Sequence, residues 1–189
     1  MVLFLLGLLL AVIALTFSVE VSGSSMEPTL HPGDRLEVDV LHRKDINRFD
    51  LVEAAEPDNG AAIVKRVIGL PGDQVKIRSG DEGARVLVRP SGSRSTYVVD
   101  NPAWGDQLAH DAAVCCTADG TNGQEEWATI PDGSYWLLGD NWSRSTDSRS
   151  FGFVTQGGVK AKLWFRILPR DRFGRVRTDA RLVRTAQAD

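Results

Sequence analysis

Beyond residue 20 the chain offers only short apolar or alternating runs, at 35–40, 51–55, 61–70, 74–78, 84–88, 96–99, 134–138 and 159–168, with turn residues between most of them. Runs of this length with period two, or apolar throughout, suit strands; an amphipathic helix needs a 3.6-residue period held for longer, and none is found there. Pro32-Gly33-Asp34 and Pro71-Gly72-Asp73 place Pro and Gly at the central positions of type II turns, and Pro131-Asp132-Gly133 marks a further turn. The expected fold is mainly β, an antiparallel sheet domain.

A chain of 189 residues can bury a core without covalent staples. It carries 22 Lys+Arg against 25 Asp+Glu, a net charge of −3, which excludes a basic nucleic-acid binder. Its cysteines, Cys115 and Cys116, are adjacent, so they supply neither a disulfide framework nor a CxxC metal knuckle and read as loop thiols. No metal and no cofactor is expected.

Three segments depart from the average. Residues 1–19 carry no charged side chain and would span about 28 Å as a helix, enough for the hydrocarbon core of a bilayer. A cleaved signal peptide would begin with basic residues, whereas the first one here is Arg35, so a retained transmembrane anchor is expected. With so few flanking cations the positive-inside rule does not orient it. Residues 79–130 are richer in Gly, Ser, Asp and Asn and read as a cap inserted into a β core formed by 20–78 and 131–168. Residues 169–189 hold six Arg and three Asp and read as a basic tail that frays, its arginines facing solvent or anionic lipid.

Three motifs carry candidate chemistry. The first, Ser22-Gly23-Ser24-Ser25-Met26-Glu27-Pro28-Thr29-Leu30, begins as a Ser/Gly linker would, but its continuation regains apolar character. In the second, Ala61 to Asp73, Lys65 and Arg66 interrupt an apolar strand and alternation sends them to opposite faces. A buried Arg must be ion-paired, while a buried Lys can lose its proton and act as a base. An edge strand with Lys65 reaching water is the other reading. The third, Gly139 to Gly152, fails as a calcium loop, because Trp142 and Arg144 stand where oxygen ligands belong. It remains a polar loop, braced by an Asp147–Arg149 ion pair, that offers hydroxyls to a base. The three histidines, His31, His42 and His110, have no carboxylate pattern around them, which argues against a Ser/His triad.

Together these motifs resemble the type I signal peptidases, membrane-bound serine peptidases with a Ser/Lys dyad. The Ser-Gly-Ser-Ser-Met-Glu-Pro-Thr-Leu segment is similar to the family's nucleophile segment and implies Ser25 as nucleophile. Lys65-Arg66 followed by Gly69-Leu70-Pro71-Gly72-Asp73 resembles the general-base segment and implies Lys65 as base, with Arg66 in support. The Gly139-Asp140-Asn141 stretch resembles the last family motif, which implies that Ser145 hydrogen-bonds the lysine amine and that Asp147 and Arg149 hold the site together. Two positions depart from the pattern. Phe49 replaces the glycine of an Arg-Gly-Asp strand, and Gly23 stands where some members place a serine that helps the oxyanion, leaving that work to backbone N–H groups such as that of Ser25.

The resemblance implies a catalytic β core, removal of signal peptides from exported preproteins after small residues, and a single-pass membrane protein with its catalytic domain on the extracytoplasmic side. Exported preproteins and membrane lipid are the expected partners, without nucleic acid or metal. Val21, Gly23, Met26 and Val64 are pocket candidates by adjacency to the dyad. A conjugative-transfer-type Ser/Lys peptidase and a non-catalytic membrane-tethered β binding module remain alternatives.

Overall fold

The short runs do become strands. The computed structural model describes residues 4–7, 17–39, 42, 45–80, 83–110 and 126–185. Within them lie β1 (Ser18–Glu20), β2 (Arg35–Asp39), β3 (Leu51–Ala55), β4 (Ala62–Gly69), β5 (Gln74–Gly80), β6 (Gly83–Arg89) and β7 (Tyr97–Asp100). After a 3-10 segment, Pro102–His110, come β8 (Ala128–Thr129), β9 (Ser134–Leu138), β10 (Val154–Thr155), β11 (Val159–Leu168), β12 (Gly174–Arg175) and β13 (Arg181–Arg184). One short helix, α1 (Ser148–Phe151), closes the third motif.

All strand pairs are antiparallel, in two sheets. The larger runs β1-β2-β11-β3-β4-β9-β10, with β12 also on β11, and the smaller runs β13-β7-β6-β5-β8. The Pro-Gly-Asp turns close as expected: Gly33 and Gly72 have φ of 87° and 79°, and the amides of Asp34 and Asp73 donate to the carbonyls of His31 and Leu70 at 3.0 Å each.

The sheets share a core in which Ile68, Trp136 and Leu138 of the larger pack with Val75, Ile77, Val86, Val88 and Val99 of the smaller, closed over by Trp104 and Trp142. One face of the larger sheet buries Val21, Met26, Leu30, Leu36, Leu51 and Leu163; the other buries Val52, Val67, Tyr135, Leu137 and Phe151. A sheet buried on both faces has continuous apolar strands rather than alternating ones, as β9 does.

Several expectations change. The second sheet begins at Gln74, before the expected cap boundary at 79, because β5 pairs along its length with β6. The basic tail does not fray. Its β12 pairs with β11 and its β13 with β7, so residues 169–185 form a strap from one sheet to the other. Ser18 and Val19, read as the end of the anchor, pair with Glu37 and Leu36 in β1–β2. Residues 4–7 are helical and exposed, the rest of the apolar run up to 16 lies outside the described residues, and among the described residues no helix is long and apolar enough to cross a membrane. Cys115 and Cys116 also lie outside the described residues.

Candidate active site

The nucleophile candidate sits in the loop that joins β1 to β2. The base of this loop is closed by the Val21 amide on the Asp34 carbonyl and the Gly33 amide on the Val21 carbonyl, both 2.8 Å. Its top is fastened by Met26 and Leu30, which are buried in the core. Ser25 precedes Met26, so the residue that anchors the loop also fixes where Ser25 stands.

Lys65 comes from β4. This strand pairs with β3 from Ala62 to Arg66, but with β9 only from Arg66 onward. Among the described residues the β9-facing edge from Ala62 to Lys65 therefore has no strand partner. There the Lys65 Nζ lies 2.7 Å from Ser25 Oγ and donates to the Val64 carbonyl at 3.2 Å. Lys65 is only 3% exposed, which removes the solvated edge-lysine reading. Its pKa is lowered from the ordinary 10.5, chiefly by burial and slightly by the Arg149 charge, against the opposing pull of Asp147 and Glu56.

Behind the dyad stands a second, tighter construction. Arg66 donates through Nε and Nη2 to the two carboxylate oxygens of Asp140 at 2.8 and 2.6 Å, and both side chains are buried. This is the pairing expected of a buried Arg, in the bidentate form its planar fork favours. Asp140 also accepts from the Thr29 hydroxyl and from Asn101 Nδ2, so one carboxylate ties β4, the nucleophile loop and the end of β7 together. The remaining arm of Arg66, Nη1, donates to the Phe49 carbonyl at 2.9 Å and to Thr178 Oγ1 at 2.7 Å.

The loop leaving β9 clamps Ser25 directly. The Asn141 amide donates to the Ser25 carbonyl at 2.9 Å, and its side-chain amide donates to the Ser24 carbonyl at 3.1 Å. Gly139 makes the approach possible: a Cβ there would stand 2.2 Å from Ser145 Oγ and 2.6 Å from the Ser25 carbonyl oxygen. Asp147 and Arg149 form the expected brace, with Arg149 Nε and Nη2 each 2.8 Å from an Asp147 oxygen. Asp147 also receives the Gly139 amide at 3.0 Å, and the Arg149 guanidinium stacks 4.0 Å over Trp142. Trp104, from the inserted segment, donates to the Gly139 carbonyl at 2.9 Å.

One expected contact is not made. Ser145 does not hydrogen-bond Lys65; its Oγ is buried without a partner, turned toward Gly139 instead. The four pocket candidates do come together: Val21, Gly23, Met26 and Val64 line a cleft of about 430 Å³ that also takes in Ser25 and Lys65. Asp140, Asn141, Thr29, Asn101 and Thr178 were not singled out from the sequence. Asp140 and Asn141 lie within a quoted motif, whereas nothing around Thr178 marks it. No group of His, Cys, Asp and Glu among the described residues could hold a metal ion.

The family described as signal peptidase, peptidase S26, matches residues 1–168. The chain is 32% identical to signal peptidase I of Streptococcus pneumoniae serotype 4 (strain ATCC BAA-334 / TIGR4), covering 91% of this chain and 93% of that protein. It is 30% identical to signal peptidase IB of Staphylococcus aureus (strain Mu50 / ATCC 700699), covering 81% and 78%. A crystal structure of a signal peptidase I from Enterococcus faecalis V583 aligns at 30% identity over 62% of this chain and 96% of that chain, with a TM-score of 0.46. The family match takes in Ser25, Lys65 and the whole loop that clamps them, ends before the strap that reaches Arg66, and covers most of the sequence: the chain belongs to the signal peptidase S26 family.

Proposed function

We propose that this signal peptidase, a serine endopeptidase that removes signal peptides from preproteins, works through Ser25 as nucleophile and neutral Lys65 as general base. The observation that carries this assignment is the 2.7 Å contact between Lys65 Nζ and Ser25 Oγ at the floor of the cleft. Burial favours the uncharged amine, which then accepts the Ser25 proton as Oγ attacks the scissile carbonyl. The protonated amine passes that proton to the leaving amine as the peptide bond breaks, giving an acyl-enzyme. It next takes a proton from the water that hydrolyses the ester.

Gly23 offers no hydroxyl to the oxyanion, whereas the Ser25 amide donates to no acceptor among the described residues and is available to it. Ser145 Oγ, buried and unpartnered, is the acceptor we assign to Lys65 once it carries the extra proton. The unpaired edge of β4 and the segment 18–23 border the same cleft, so an extended substrate can lie between them as an added strand. Val21, Gly23, Met26 and Val64 leave room beside the dyad for small side chains. The apolar run ahead of β1 serves as a single-pass membrane anchor and the catalytic domain faces the extracytoplasmic side, where signal peptides become accessible.

The test is cleavage of a preprotein by the full chain in detergent. Ser25→Ala and Lys65→Met should each abolish it while leaving the thermal transition intact, and a serine-directed acylating probe should label the wild type but not Ser25→Ala. An active Ser25→Ala variant would overturn the assignment.

A further inference from the structure

One wall of the cleft carries a charge that neither the dyad nor the fold uses. Glu53 lines it from β3, directly across from Val64 of β4 and on the same face of the sheet. Its surroundings on that face are apolar, with Val19, Val21, Met26 and Leu51 in the cluster beneath. The other carboxylate of the cleft, Glu20, is paired with Arg35 at 2.8 Å. Glu53, in contrast, has no ion-pair or side-chain hydrogen-bond partner among the described residues. The carboxylates whose charge acts on Lys65 are Asp147 and Glu56, not Glu53. Glu53 is only partly buried, so its carboxylate keeps its charge in the cleft and is open to a cation that enters there.

We propose that Glu53 is a specificity-determining residue that receives a long basic side chain of the preprotein close to the scissile bond. The reading rests on the peptidase assignment above and on a substrate strand added to the free edge of β4. In that geometry a substrate side chain opposite Val64 projects on the face of Glu53, two strand spacings away, or about 10 Å between Cβ atoms. A Lys or Arg stem lying over Val64 spans that gap and brings its charge to the carboxylate, whereas Ala, Ser or Val falls short. A half-exposed ion pair of this kind gives about a two- to fivefold preference rather than an absolute requirement.

The full chain in detergent is assayed with a set of peptides that share one scissile bond and carry Ala, Lys or Glu in turn at each of the four positions before it. At one position the wild type should favour Lys over Ala by about two- to fivefold in kcat/KM, mainly through KM, and disfavour Glu. That ratio should fall toward one as ionic strength rises. It should also be lost in Glu53→Gln and Glu53→Val and invert toward Glu in Glu53→Lys. Because each ratio is taken within one enzyme preparation, a variant of low overall activity still reports it. A wild type indifferent to Lys at all four positions, or a Lys preference that persists in Glu53→Val, overturns the proposal while leaving the dyad standing. Failure of the wild type to cleave any peptide of the set overturns the peptidase reading and this one with it.

Discussion

Replacing Gly139 with Ala adds one methyl group at the closest approach between Ser25 and the loop that holds it. The new Cβ would lie 2.2 Å from Ser145 Oγ, 2.5 Å from Ser145 Cβ and 2.6 Å from the Ser25 carbonyl oxygen. Attractive contact between such atoms begins near 3.5 Å, so the neighbours must retreat by about 1 Å. The Ser145 hydroxyl can rotate away. The Ser145 Cβ and the Ser25 carbonyl cannot retreat so freely, because the latter is tied to the Asn141 amide at 2.9 Å. Overpacking of this kind costs about 1–3 kcal/mol, which a domain of ordinary stability survives. A shift of about 1 Å in the nucleophile costs on the order of 100-fold in rate. The expected result is a folded enzyme whose kcat has dropped by about two orders of magnitude with KM changed little, since the cleft walls are untouched. Urea unfolding and peptide cleavage measured side by side read both quantities. Gly80→Ala is the control, because nothing lies within 4 Å of a Cβ there. A Gly139→Ala enzyme that retains wild-type kcat/KM within threefold would refute the claim that this glycine sets the position of Ser25.

Lys65→Met removes an amine whose charged form is penalised by burial. The native state binds that proton less readily than the unfolded chain, so wild-type stability is reduced at neutral pH and recovers as pH rises between the lowered native pKa and the ordinary 10.5. The inactive Lys65→Met variant should therefore match or exceed wild type in urea at pH 7 and lose ground toward pH 10; a pH-independent difference would oppose the neutral-lysine account. Asp140→Asn strands the buried Arg66 charge and should cost about 3–5 kcal/mol, most of it regained in Asp140→Asn/Arg66→Met, as urea midpoints will show. Phe49 occupies left-handed backbone, with φ of 72°, so Phe49→Gly should be more stable than Phe49→Ala by about 1 kcal/mol, the reverse of the usual order. A chain ending at Leu168 loses the Thr178 acceptor of Arg66 and the Arg172 partner of Asp34, and its labelling by a serine-directed probe should fall at least tenfold.

What the sequence reveals here depends on how far apart the interacting residues lie. Strands 51–55, 134–138 and 159–168 are found at the expected bounds, because each is a continuous local run closed by strong turn residues. The two-residue strands β8, β10 and β12 have no local pattern at all; their neighbours in the sheet make them strands. Arg66 and Lys65 could be recognised as unusual because a charge in an apolar strand is a local anomaly. Its resolution was not local. Asp140 stands 74 residues from Arg66, and Thr178 a further 38 beyond Asp140. The tail is deceptive for the same reason, since six arginines in 169–189 look solvated until Asp34 is seen to receive Arg172 and β7 to receive a strand. Phe49 is the converse case: its departure from glycine is visible in sequence, but only the fold shows that its carbonyl serves Arg66.

The strap also bears on when such an enzyme becomes active during its own synthesis. The contacts that hold the nucleophile loop from behind join residues 111, 137 and 138 positions apart, and Arg66 meets Thr178 across 112. Arg166, Arg172 and Thr178 all come after the residues they hold, so a growing chain that already contains Ser25, Lys65 and Asp140 still lacks these three fastenings. Long-range closure of this sort is slow relative to local structure and waits for those residues to be made. The peptidase fold thus holds Ser25 without its full grip until the strap itself has been made.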